Sequence, residues 1–101
     1  PLPDAKGREN IFKIHTKKKP LLENVDFTKL VQLTESFSGA EIEGVCNRAA
    51  MSSIRRHLDK KEKDVKSIKI TQVDFENAIE KMRHGKVHPK QVNHIISNMI
   101  N

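Results

Sequence analysis

The residues able to do chemistry in this chain of 101 residues are few, and they gather at two places. One is Gly39-Ala40, immediately behind Ser38. A helix beginning there has a first turn almost without side chains, so its bare N–H groups and the positive end of its dipole face whatever lies in front. The ligand class that matches is an anion or a nucleotide. The other is the pair Ile11 and His15. Four apart on a helix, they share a face; one is apolar, the other can donate, accept or stack, and together they suit an adenine edge. The plainer reading makes Ile11 a core residue and His15 an ordinary helix-end residue, and spacing alone leaves both open.

The remaining candidates are weaker. His84 and His88 have the gap found in half of some zinc sites, and His94 follows. No cysteine pair supplies further ligands, and Gly85 and Pro89 keep the two from sharing a helix face, so loop histidines without a metal are expected. Cys46 has no histidine near it in sequence and falls on the apolar side of a helix, which points to packing rather than nucleophilic catalysis. The chain contains no G-x-x-x-x-G-K-[ST] phosphate loop, no acidic pair after an apolar strand, no G-x-S-x-G and no H-E-x-x-H. On its own it is not expected to be an enzyme or to hydrolyse a nucleotide.

Four helices are needed to position these residues. The stretch 37–58 reads as one long helix over about 39–58, with Ser38 and Glu41 forming a capping box at its start. Ile42, Val45, Cys46, Ala49, Ala50, Ser53 and Ile54 make its apolar face; Glu43, Gly44, Asn47, Arg48, Ser52, Arg55 and Arg56 fall on the wet side. Ahead of it, Asp4 caps a helix at about 5–17, where Arg8, Ile11, Phe12 and His15 recur until Pro20 stops it, and the lysines at 17–19 complement its dipole. Asp26 caps a short helix at 27–34. Beyond the charged run 59–64, the alternation at 67–70 predicts a short extended piece. Thr71 and Asp74 then open a second, weaker capping box for a helix at 72–83, with Gly85 as its stop. The compact unit is expected to span 1–86, leaving a tail, 87–101, in which Val92, Ile95, Ile96 and Met99 could line a further helix starting at Pro89.

Bulk properties fit a small all-α domain. Hydrophobic residues make up 36%, with no tryptophan or tyrosine, and the net charge is +6, so the surface attracts phosphates and acidic partners in a salt-dependent way. One cysteine allows no disulfide framework and favours a reducing, cytoplasmic setting. No apolar run is long enough to span a bilayer, and no membrane partner is expected. A start at Pro1 rather than methionine suggests a piece of something longer.

Three ordered blocks, PLPDAKGRENIFKIHTKKKPL, VDFTKLVQLTESFSGAEIEGVCNRAAMSSIRR and ITQVDFENAIEKM, closely resemble the C-terminal helical lid subdomain of AAA ATPases over about residues 1–84. Within that family the chain looks most like the valosin-containing-protein type, with the proteasomal and membrane-protease branches close behind. The resemblance implies a small four-helix lid that follows a large α/β domain in the same parent chain. That domain carries the Walker A and Walker B motifs and the arginine finger, binds Mg2+, and holds ATP or ADP against the lid. By the same resemblance, Ile11 and His15 lie beside the adenine and ribose, and Gly39 and Ala40 occupy the position called sensor 2. Related ATPases outside the AAA branch use an arginine there, so Ala40 implies no direct phosphate sensing. The further implications are neighbouring subunits of a homo-hexameric ring as partners and protein substrates to be unfolded or taken apart. The charged insertion at 59–66 is longer than in many lids, and the tail matches nothing in the family pattern.

The chief rival reading is a small basic helical nucleic-acid-binding domain, for which a pI near 9.6 is the attraction. Against it, the lysines are scattered, only four phenylalanines are present to stack bases, and Glu41 and Glu43 sit where a reading helix needs donors. Nucleic acid is therefore not an expected partner. A second rival is a free-standing interaction module that docks through the tail at 89–100.

Overall fold

The computed structural model describes residues 1–61 and 63–85. In chain order these form α1 (Ala5–Thr16), α2 (Phe27–Leu33), α3 (Gly39–Asp59), a 3-10 turn (Val65–Ser67) and α4 (Gln72–Gly85). The expected tail helix, His88 and His94 lie outside the described residues. Among the described residues, no helix is long and apolar enough to cross a membrane.

Each helix begins where a side chain can take an orphan backbone N–H. Asp4 accepts from Gly7 at 2.8 Å and Asp26 from Lys29 at 3.2 Å. Thr71 and Asp74 satisfy one another's N–H groups across the first turn of α4. Each such cap is worth about 1 kcal/mol. The end of α3 is set by Lys61, whose left-handed φ of 56° turns the chain out of the helix while its N–H returns to the Leu58 carbonyl.

The long α3 is the spine, packed on one side by α1 and along its length by α4. Its buried face is Ile42, Val45, Cys46, Ala49, Ser53 and His57, which is the expected stripe displaced slightly: Ile54 is 39% exposed and Ala50 is only partly covered. The stripe drifts because a straight helix turns 3.6 residues at a time, so Ile54 rotates out where His57 rotates in. Phe12 of α1 meets Phe27 and Phe75 edge-on, at centroid distances of 6.3 and 6.4 Å, so one ring joins α1, α2 and α4, adding about 1 kcal/mol per pair to simple burial. At Gly44 a Cβ would come within 2.8 Å of Met82 Cε, so the flexible end of Met82 fills the space that the missing side chain leaves.

The extended piece expected at 67–70 is smaller than predicted. Asp64 caps the turn Val65–Ser67 and Ser67 Oγ donates back to the Asp64 carbonyl, which takes Ser67 out of extended conformation. Only Ile70 pairs, in a single parallel bridge with Leu21: the Leu22 N–H donates to Ile70 O at 2.9 Å and the Ile70 N–H to Pro20 O at 2.8 Å. The Asp26 N–H donates to Gln72 Oε1 at 2.8 Å beside it. The α1–α2 connector and the α3–α4 connector are thereby stitched together.

Candidate functional site

At the tip of α3 the capping box is complete. The Glu41 N–H donates to Ser38 Oγ at 3.1 Å and the Ser38 N–H to Glu41 Oε1 at 2.8 Å. The N–H groups of Gly39 and Ala40 lie between these two and find no acceptor among the described residues. Glu41 also places a carboxylate in this first turn, which offsets part of the helix dipole. The tip therefore favours a neutral, hydrogen-bonding or electron-rich group over a bare phosphate.

Gly39 is not demanded by the backbone, since no described glycine has a positive φ. Nor is it demanded by packing: a Cβ there would sit 3.5 Å from Ile11 Cδ1, an ordinary contact. Its smallness leaves a shallow notch walled by the half-buried Ile11. One turn along α1, His15 Nε2 lies 3.4 Å from Glu43 Oε2, and Glu43 is one turn along α3 from Gly39. Two rows thus face each other, Ile11 and His15 on α1 and Gly39 and Glu43 on α3, with Ala40 exposed at the tip. The Lys19 ammonium donates to the His15 carbonyl at 2.6 Å and closes the end of α1.

Of the residues singled out by sequence, Ile11 and Gly39 are brought into contact range and His15 is placed on the same ridge. Glu43 belongs with them, although its pattern assigns it only to the wet side of α3. Its four-residue spacing from Gly39 is the signal that places it there. Arg56, expected on the wet basic face with Arg48 and Arg55, is instead drawn inward. Its guanidinium makes a two-pronged bond to Asp74, Nη1 to Oδ1 at 2.6 Å and Nη2 to Oδ2 at 2.9 Å, and Nη2 also reaches the Lys69 carbonyl at 3.1 Å. Burial alone would push the Asp74 carboxyl up. The Arg56 bond, the Thr71 N–H and hydroxyl and the guanidinium charge outweigh it and hold the group below the usual carboxylate range.

Cys46 is fully buried, and its thiol is pushed up to about 11, by burial first, with Lys19 lowering it and Glu43 raising it by less. A thiol held protonated in the core is a packing group. His84 pairs with Glu80 at 2.8 Å, and among the described residues no group of three His, Cys, Asp or Glu could hold a metal ion.

Comparison with known proteins places the chain, from α2 into α4. A family described as the AAA+ lid domain matches residues 24–77. The chain is 45% identical over 82 residues to a proteasome-activating nucleotidase of Archaeoglobus fulgidus, covering 81% of this chain and 18% of that protein. It is 42% identical over 89 residues to a cell division cycle protein 48 homolog of the same organism, covering 82% and 12%. It is also 42% identical over 91 residues to the ATP-dependent zinc metalloprotease FtsH 1 of Methylacidiphilum infernorum, covering 90% and 13%. The chain spans between about an eighth and a fifth of the length of these relatives.

Proposed function

The chain belongs to the AAA+ lid domain family, and from that premise we propose that Ile11, His15, Gly39 and Ala40 form the lid-side wall of an adenine-nucleotide pocket. The observation that carries this reading is the notch at Gly39: glycine stands beside Ile11 where neither backbone nor packing needs it. A flat base can lie against Ile11 and approach the open N–H groups of Gly39 and Ala40, while His15, with Glu43 beside it, meets the ribose edge. The phosphates of ATP or ADP and the Mg2+ ion belong to a large α/β domain of the same parent chain. This chain's residues make no direct contact with the γ-phosphate, because Ala40 has no group to reach it and Glu41 repels it.

Residues 1–86 form the lid unit in this reading, and 87–101 a separate tail. Its motion is a hinge-type closure over nucleotide that relaxes on phosphate release and pushes against the neighbouring subunit of a homo-hexameric ring. The parent is then a cytoplasmic ATPase of the valosin-containing-protein-like branch that unfolds proteins or separates complexes. The relatives' names, an ATP-dependent metalloprotease among them, support coupling of ATP to work on proteins.

The test separates the notch from the fold. In the parent ATPase, Gly39→Val should weaken ADP binding about tenfold or more by filling the notch, and Gly39→Ala by less, while both leave the helical circular dichroism and thermal midpoint of the isolated chain in place or slightly raised. The isolated chain should bind ADP only weakly by calorimetry. Unchanged nucleotide affinity in Gly39→Val, or tight saturable binding of ADP by the isolated chain, would sink the assignment.

A further inference from the structure

A second surface lies on the same spine, away from the notch. Arg48, Arg55 and, across from them on α4, Lys81 line a groove between α3 and α4 together with Met51 and the amides Asn47 and Asn77. All three cations are exposed, and their side chains have no hydrogen-bond or ion-pair partner among the described residues. This contrasts with the rest of the α3–α4 seam, where Arg56 is fully engaged by Asp74. Met51 lines the groove, and with Ile54 and Leu58 farther along α3 it is exposed, at 55%, 39% and 67% in that order. They fall at i, i+3 and i+7, a second apolar stripe on the side of α3 away from the core. Two of these cations and the exposed apolar stripe lie on α3 and the third cation on α4, and no ion pair or hydrogen bond among the described residues uses the three charges.

We infer that the α3–α4 groove is a docking site for an acidic amphipathic peptide segment. Its leucine-like side chains cover the Met51–Ile54–Leu58 stripe and its carboxylates meet Arg48, Arg55 and Lys81. Charge complementarity selects the sign of the partner. The stripe demands an apolar face at helical spacing, and the two amides can take the segment's exposed backbone groups. A bilayer is a poorer fit, since the cations line a concave groove rather than a flat plane. Nucleic acid is poorer too, since the stripe holds no aromatic ring to stack a base. Arg48 and Arg55 lie about 14 and 24 Å along the helix axis from Gly39 at 1.5 Å per residue, on a different side of α3. The groove is therefore free to dock a peptide whether or not the notch holds a nucleotide.

Fluorescence anisotropy on the 101-residue chain tests this, using a labelled peptide with leucine at every third or fourth position and glutamate between. Saturable binding that weakens with added salt is expected. Arg48→Glu, Arg55→Glu and Lys81→Glu should each reduce affinity about tenfold. Met51→Ser, which leaves every charge in place, should reduce it severalfold. Lys18→Glu, a basic site off the groove, should not change it. Because all these positions are exposed, each variant should keep the parent's helical circular dichroism. The inference is overturned if Lys18→Glu weakens binding as much as Arg55→Glu, if Met51→Ser has no effect, or if the chain holds phosphatidylserine vesicles or single-stranded DNA more tightly than the peptide.

Discussion

Asp74 shows how much one side chain can settle. It caps α4 through Thr71 and grips Arg56 from α3, and it is almost fully buried while Arg56 keeps 39% of its side chain in solvent. Its carboxyl titrates lower in the folded chain than in the unfolded one. The stability it supplies is therefore present in full above the unfolded value, near pH 4, and is lost as pH falls through the folded value. Asp74→Asn should cost about 1–2 kcal/mol at neutral pH, with Arg56's exposure keeping the figure modest. The gap to the parent chain should close on acidification below about pH 4, as followed by urea unfolding at several pH values. A gap that stayed constant with pH would mean that the pair is not what Asp74 contributes. The capping role of Asp74 was readable in the sequence because Thr71 is three residues away. The ion pair was not, because Arg56 is 18 residues away and helical periodicity gives only its side of α3. The same limit separates Ile11 and His15, legible as a pair by spacing, from Glu43, which joins them only once α1 lies against α3.

Among the elements, α2 is the one that cannot stand alone. Seven residues make too few helical bonds to offset nucleation, so its far end is clamped from both sides. Arg8 of α1, 8% exposed, donates from Nε and Nη2 to the Val31 carbonyl at 3.2 and 3.1 Å and from Nη1 to Pro3 O at 3.2 Å. Arg83 of α4 donates to the Leu33 carbonyl. Both cations sit at the negative end of the α2 dipole, where last-turn carbonyls lack helical partners. Arg8→Met keeps the volume but removes three donors, and should destabilise the chain by about 1–3 kcal/mol. Arg83→Met, on the exposed rim, should cost under about 1 kcal/mol. Equal losses in chemical denaturation would count against the buried clamp. Sequence patterning did predict the helices themselves to within a residue or two, since caps and breakers act locally: Asp4, Asp26, Ser38 and Thr71 each mark a start. It overreached at 67–70, where alternation over four residues is weaker than the local turn chemistry of Asp64 and Ser67.

On the scale of the molecule, the parts are joined at two levels, by the phenylalanine cluster within and by the Leu21–Ile70 bridge at the connectors. The bridge also bears on how the chain folds. The caps close within one helical turn, and the Arg56–Asp74 pair between α3 and α4 over 18 residues. Leu21 and Ile70 enclose nearly half of the chain, and Phe12 with Phe75 enclose more, so both contacts carry a larger loop-closure cost than the caps, and the bridge repays it with less buried surface than the ring cluster. The bridge is therefore expected to form late, as a latch that adds little to the folding barrier. Leu22→Pro removes the donor to the Ile70 carbonyl at an exposed side chain, outside the core and every helix, and should leave the refolding rate nearly unchanged while raising the unfolding rate severalfold in stopped-flow measurements. A matching fall in the refolding rate would place the bridge in the nucleus instead. With the latch late, the two backbone hydrogen bonds between connectors slow the chain's opening without setting its speed of assembly.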